Sequence, residues 1–223
     1  MKTAFRLLVV VFALAFSAIH LSAQSISLGL RGSGAFPTGG FSDAVPVYTP
    51  VNCPACNTVG PSSAMAAAKN GFGYGLDAGL QLGIAGVYAS FDHITFDCAS
   101  YACNSDGNYK LMGATAGVKL SMPGSSILRP FVKGGVTFNQ LEGAYNGSEL
   151  KTDRKPGYEV GVGLDIGILG LLSFSPQARY VGQNFKYNVP GISTAGAEPT
   201  QGANYYTFDL GLSVHNPLGG MKH

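Results

Sequence analysis

Eight stretches of this chain alternate, residue by residue, between an apolar side chain and a glycine or polar one, and no other feature restricts its fold as much. In GYEVGVGLDIG, residues 157–167, Tyr158, Val160, Val162, Leu164 and Ile166 share one face, and Glu159, Gly161, Gly163, Asp165 and Gly167 share the other. A period of two marks a strand lying between unlike environments. In a soluble sheet the polar face would meet water. A face built of glycine and carboxylate suits a crowded interior instead, so the assignment of inside and outside decides the fold.

The same grammar recurs along the chain. Ile26, Leu28 and Leu30 oppose Ser27, Gly29, Arg31 and Ser33; Phe72, Tyr74, Leu76, Ala78, Leu80 and Leu82 oppose Gly73, Gly75, Asp77, Gly79 and Gln81. Val87, Ala89 and Phe91 face away from Tyr88, Ser90 and Asp92, in the segment whose phase is least clean. Further alternating segments run from Met112 to Ser121, Leu128 to Asn139, Leu172 to Tyr180 and Tyr205 to Val214. Segments of about ten residues are what a tilted transmembrane strand needs. Short links near 83–86, 123–126 and 168–171 alternate strictly with long ones at 36–70, 97–108, 141–156 and 186–203. That is the pattern of an all-β, eight-stranded antiparallel up-and-down transmembrane β-barrel, with short inner turns, long external loops and both termini on the inner side. Within the first long loop, SSAMAAAK has helical composition, and a helix there would cap the barrel mouth.

The start of the chain agrees with export. Lys2 and Arg6 precede the apolar run Leu7 to Phe16, and Leu21-Ser22-Ala23 offers a small residue at the cut, so residues 1–23 are expected to be a cleaved signal peptide and 24–223 the barrel domain. No second run of 18 apolar residues follows, which leaves a barrel as the only membrane-spanning form. The leader holds two of the 14 basic residues and none of the 12 acidic ones, so the rest is formally neutral. Without a basic run there is no electrostatic footprint for nucleic acid.

The polar faces carry five cations, Arg31, Lys119, Arg129, Lys133 and Arg179, and five anions, Asp77, Asp92, Glu159, Asp165 and Asp209. A sheet facing water has no reason to match them. A closed lumen does, because buried charge must be paired. The balance points to polar residues inside, apolar residues outside, and outer-membrane lipid around the barrel. The glycines, 32 of 223 residues, then make room for long side chains in a narrow interior.

LRPFVKGGVTF, GYEVGVGLDIG, LSFSPQARYVG and the closing YYTFDLGLSV resemble the small outer-membrane β-barrel family of Gram-negative bacteria, the porin-family or OmpA-type transmembrane domain. The resemblance covers essentially all of residues 24–223 and specifies architecture more than activity. Family members usually end on an aromatic residue, whereas HNPLGGMKH extends beyond Val214 here and reads as a short periplasmic extension. The resemblance implies a monomer of the bacterial outer membrane with a structural or surface-interaction role. Its external partners would be met through the four long loops. A narrow ion or small-solute channel is the alternative, and a lipid-modifying enzyme on the rim a third reading.

Two groups of residues invite chemistry. Cys53, Cys56, Cys98 and Cys103 lie in the first two long loops. CPAC resembles a redox pair but lacks a βαβ context, and the two spacings would also suit zinc. Four cysteines in exported loops point first to disulfides, in any of three connectivities. His93 falls near the outer end of its strand and His215 on the opposite rim, so they do not share a site. An interfacial histidine is the simpler reading of His93. No catalytic, cofactor or metal residues are assigned.

Overall fold

The computed structural model describes residues 24–42, 45–47, 62–65, 68–98, 108–122, 127–145, 148–186 and 200–217. Eight long strands dominate them: β1 (Gln24–Thr38), β2 (Ala68–Leu82), β3 (Ala85–Cys98), β4 (Asn108–Ser121), β5 (Leu128–Tyr145), β6 (Lys155–Leu169), β7 (Leu172–Gly182) and β8 (Asn204–Pro217). Each pairs antiparallel with its sequence neighbours, and β1 pairs with β8, which closes the ring. Closure matters because lipid offers no partner to an unpaired strand edge.

The inner hairpins are tight. Gly83 and Gly170 each occupy the first position of a two-residue turn with φ of 68° and 53°, the left-handed conformation that such hairpins need and glycine adopts freely. The third inner link joins Met122 to Ile127, and residues 123–126 lie outside the described residues.

The apolar set faces outward, with Leu28 and Leu30 each 63% exposed and Phe72 80% exposed. On β1 it runs from Ile26 to Phe36, ten residues apart, which on a strand tilted by about 40° spans about 25 Å, the height of an outer-membrane apolar band. Aromatic rings mark its outer edge. Tyr158, Tyr180 and Tyr206 meet as tilted rings at 6.0 and 4.9 Å, Phe36 meets Phe208 edge-on at 5.8 Å, and Tyr74 covers His93 at 5.1 Å. The inner edge is aliphatic, with Ile84, Ile127, Ile168 and Leu171 exposed at or beside the short links. Amphipathic rings prefer the headgroup level.

Above the rings the strands continue and their faces exchange character. On β3, Thr95 and Asp97 point outward while Ile94 and Phe96 are buried inward. The same exchange occurs on β4 with Lys110 out and Leu111 in, and on β5 with Gln140 and Glu142 out and Leu141 in. Below the boundary lipid solvates the outer face; above it water does. One closed sheet is therefore a membrane barrel for most of its height and a water-soluble barrel at its outer end.

Loop boundaries differ from the expectation accordingly, because β1 runs to Thr38 and β5 to Tyr145. Short hairpins extend the outer end: Ser148–Lys151 against β5, Asn184–Lys186 against Thr200–Gly202, and Val45–Val47 against Ser62–Met65. The last pair overturns the helix expected in SSAMAAAK, since Ser62–Met65 is extended and paired. A 3-10 turn, Gly39–Phe41, takes the capping position instead and buries Phe41.

Candidate functional site

The inward residues of the eight strands form a lumen in three layers. At mid-height Arg179, 2% exposed, is the hub. Its Nε donates to Asp209 Oδ2 at 2.5 Å, Nη1 to Glu159 Oε2 at 2.8 Å, and Nη1 and Nη2 reach the two oxygens of Asp92 at 3.2 Å. Arg31 joins the layer by donating to Asp92 at 2.6 Å and to Asp77. Lys133 pairs with Glu159 at 3.2 Å, its ammonium 5.0 Å from the centre of the Tyr88 ring. A planar guanidinium with five donors in a fixed fork can meet several carboxylates at once, with bidentate geometry that the three donors of a lysine ammonium do not offer.

Strand register explains how side chains on separate strands meet. Arg31, Gly75 and Asp92 lie in one cross-strand row on β1, β2 and β3. A Cβ on Gly75 would stand 2.9 Å from Arg31 Nε, so its absence lets the guanidinium cross β2 to reach Asp92. Tyr88, Gly117, Gly135 and Glu159 form a second row, on β3 to β6. There the tyrosine lies across two glycines and donates to Glu159 Oε1 at 3.0 Å. Each glycine stands between a long side chain and its partner. Tyr88 was not among the residues expected to build this network; an aromatic on the glycine-rich face was the available signal.

Below the hub a vestibule of about 110 Å³, lined by polar and apolar residues together, extends to the short-turn end. Lys119 donates to Asp165 Oδ2 at 2.6 Å, with its ammonium 4.0 Å from the Phe131 ring centre, and Ser175 donates to Asp165 Oδ1 at 2.8 Å. Arg129 departs from the expected pairing. It sits directly opposite Asp165 in the β5–β6 register, yet the carboxylate is turned to Lys119 and Ser175. Among the described residues Arg129 enters no ion pair, and it is exposed at the vestibule. The other nine charged residues expected in the lumen all pair there.

Above the hub the lumen becomes largely apolar, contrary to the expected polar interior, with Asn139 and Gln183 buried there as polar exceptions. Ile94, Phe96, Leu111, Leu141, Val181 and Tyr205 point inward and pack with Phe41 and Phe185. Phe41 meets Phe96 edge-on at 5.0 Å, and Phe96 meets Tyr205 at 5.6 Å. Each such ring withdrawn from water contributes about 1.5–3 kcal/mol. The sequence signal was the exchange of faces beyond Asp92, where the alternation continues with its apolar set on the other side.

The remaining candidates separate. His93 faces outward against Tyr74 at the aromatic edge, and His215 lies at the inner end with Nε2 3.1 Å from Ser213 Oγ. Cys98 ends β3, packs on the apolar cluster and carries no free thiol. Cys53, Cys56 and Cys103 lie outside the described residues.

A family model described as an outer membrane protein β-barrel domain matches residues 9–215. Among solved structures, the chain is similar to the outer membrane protein OprG from Pseudomonas aeruginosa, with a TM-score of 0.63 and 14% identity over 87% of this chain and 97% of that one. It is also similar to Neisserial surface protein A, with a TM-score of 0.52 and 14% identity over 86% of this chain and 96% of that one. The outer membrane protein AlkL, solved in lipid bilayers, gives a TM-score of 0.52 and 10% identity over 90% and 93% of the two chains. At these identities the likeness shows the fold. No curated protein matches the sequence.

Proposed function

Because the chain belongs to the outer membrane protein β-barrel family, whose home is the bacterial outer membrane, we propose that it is a non-conducting barrel. Its work is structural, or is done by binding a partner at the cell surface. The observation that carries this reading is the outer end of the barrel. There the strands rise past the lipid boundary as a rigid collar, polar outside, and an apolar cluster fills the collar over a buried ion-pair layer. Such a collar holds loops clear of the lipid, and the two filled layers stand in the way of solute. In planar bilayers the purified protein is expected to give no discrete conductance steps. The opposing observation is that the buried Ser33, Ser90 and Thr137 hydroxyls lack a partner among the described residues, which favours a narrow hydrated path. Steps that change amplitude when Lys133 is replaced by glutamine would establish a channel and end the non-conducting reading.

Export and loop bracing belong to the same reading. Residues 1–23 are removed as a signal peptide, and Cys53, Cys56, Cys98 and Cys103 are joined in disulfides that brace the first two external loops. Mass spectrometry of unreduced, alkylated protein is expected to find none of the four cysteines labelled. Labelling of all four would remove the disulfides from the proposal. The protein acts as a monomer, without cofactor, metal or catalytic residue.

A further inference from the structure

We propose that the vestibule at the short-turn end of the lumen is a binding site for a small tetrahedral oxyanion such as phosphate. This goes beyond a role for the external loops, because the vestibule lies at the opposite end of the barrel. Its volume of about 110 Å³ compares with about 10–15 Å³ for one water on the same measure, so there is room for an oxyanion with part of its hydration. Charge supplies the attraction. The formally charged residues lining the space are Lys119, Arg129 and Lys133 against Asp77 and Asp165, a local excess of one cation beside His215 in a lumen whose five cations and five anions balance overall.

That excess resides on Arg129. Asp165 is turned to Lys119 and Ser175, Lys133 faces Glu159, and Asp77 is held by Arg31. Among the described residues the Arg129 fork is therefore left without an anionic partner, although its own register partner is a carboxylate. A guanidinium in that position matches two oxygens of an oxyanion at once. Hydroxyls complete the donor set: Ser25 and Ser121 line the same space. The surrounding strands carry lipid on their outer side, and low-dielectric walls strengthen the field of an unpaired charge inside them. The ion-pair layer closes the vestibule at mid-height and limits how far an anion can enter.

The test uses protein extracted from outer membranes in a maltoside detergent, titrated with inorganic phosphate at constant ionic strength and followed by amide NMR. Saturable shifts are expected at vestibule residues, weakened at least tenfold by Arg129→Gln, weakened less by Arg129→Lys, and unchanged by Lys151→Gln on the external hairpin. The heat-dependent gel shift of each variant verifies that the barrel is folded. Shifts that never saturate, or that persist equally in folded Arg129→Gln, overturn the site. Short-chain phosphatidylglycerol added to the same micelles separates the two sources of phosphate. Competition at the same amides identifies a lipid headgroup as the ligand, and its absence identifies the free ion.

Discussion

Replacing Arg179 by methionine is expected to destabilise the folded barrel by about 3–5 kcal/mol, the usual result of removing one partner from a buried ion pair. The expectation comes from what each carboxylate keeps afterwards. Asp92 retains Arg31 at 2.6 Å, and Glu159 retains Lys133 at 3.2 Å and the Tyr88 hydroxyl at 3.0 Å. Among the described residues Asp209, 1% exposed, retains only the Thr207 hydroxyl at 3.1 Å. The loss therefore concentrates on one stranded anion. The double variant Arg179→Met with Asp209→Asn should recover about 1–3 kcal/mol of it, within the range of coupling between contacting residues. Denaturant titration of the refolded protein, read from the folded band on unboiled gels, supplies both numbers. A double variant as unstable as the sum of the two single ones would mean that Arg179 and Asp209 act independently.

This layered arrangement connects stability to the proposed role. Ion pairs closed inside a narrow barrel add little net stability compared with apolar residues of the same volume. What they do is penalise any arrangement in which one member leaves. The hub binds β7 to β3, β6 and β8 through side chains, across the lumen as well as around the wall. A wall cross-braced at mid-height and filled with aromatic rings above presents its outer rim as one rigid body. Loops on such a rim lose less conformational entropy on meeting a partner than loops on a soft support.

The strand count, the closure and the inside-outside assignment were legible because each depends on local spacing: period-two alternation along a segment and the lengths of the links between segments. The pairing inside was not. Arg31 reaches Asp92 only because Gly75 lies between them, and Tyr88 reaches Glu159 only across Gly117 and Gly135. Those rows are set by strand register, which alternation alone leaves open by any even number of residues. Counting five cations against five anions predicted a paired lumen, yet a count cannot say that Lys119 and Ser175 take the carboxylate facing Arg129. The apolar upper layer was present in the sequence as a phase exchange. In the segment from Ala85 it appeared as imperfect alternation, because one strand crosses from lipid into water and the apolar side chains change faces there.

A positive charge at Val162 should cost about 2–4 kcal/mol, the penalty for arginine near the mid-plane of a barrel's lipid-facing surface. Val162 is 56% exposed, and its cross-strand neighbours Val132 and Ala178 also face outward. It lies four residues from Tyr158 and six from Ile168, the ends of the outward apolar run on β6. That places it roughly 10 Å from the nearer boundary along a tilted strand, so a guanidinium there must draw water or headgroups inward. Asp97 is the control, since it points outward two residues beyond Thr95, whose cross-strand neighbour Phe72 still belongs to the aromatic edge, and arginine there should cost about 0–1 kcal/mol. Folding each variant into lipid vesicles and measuring denaturant midpoints gives the comparison. A large difference places lipid against the middle of β6 and water against the outer end of β3. Equal costs at the two positions would mean that the boundary does not lie at the aromatic rings, and the water-exposed collar proposed to present the loops would lose its physical basis.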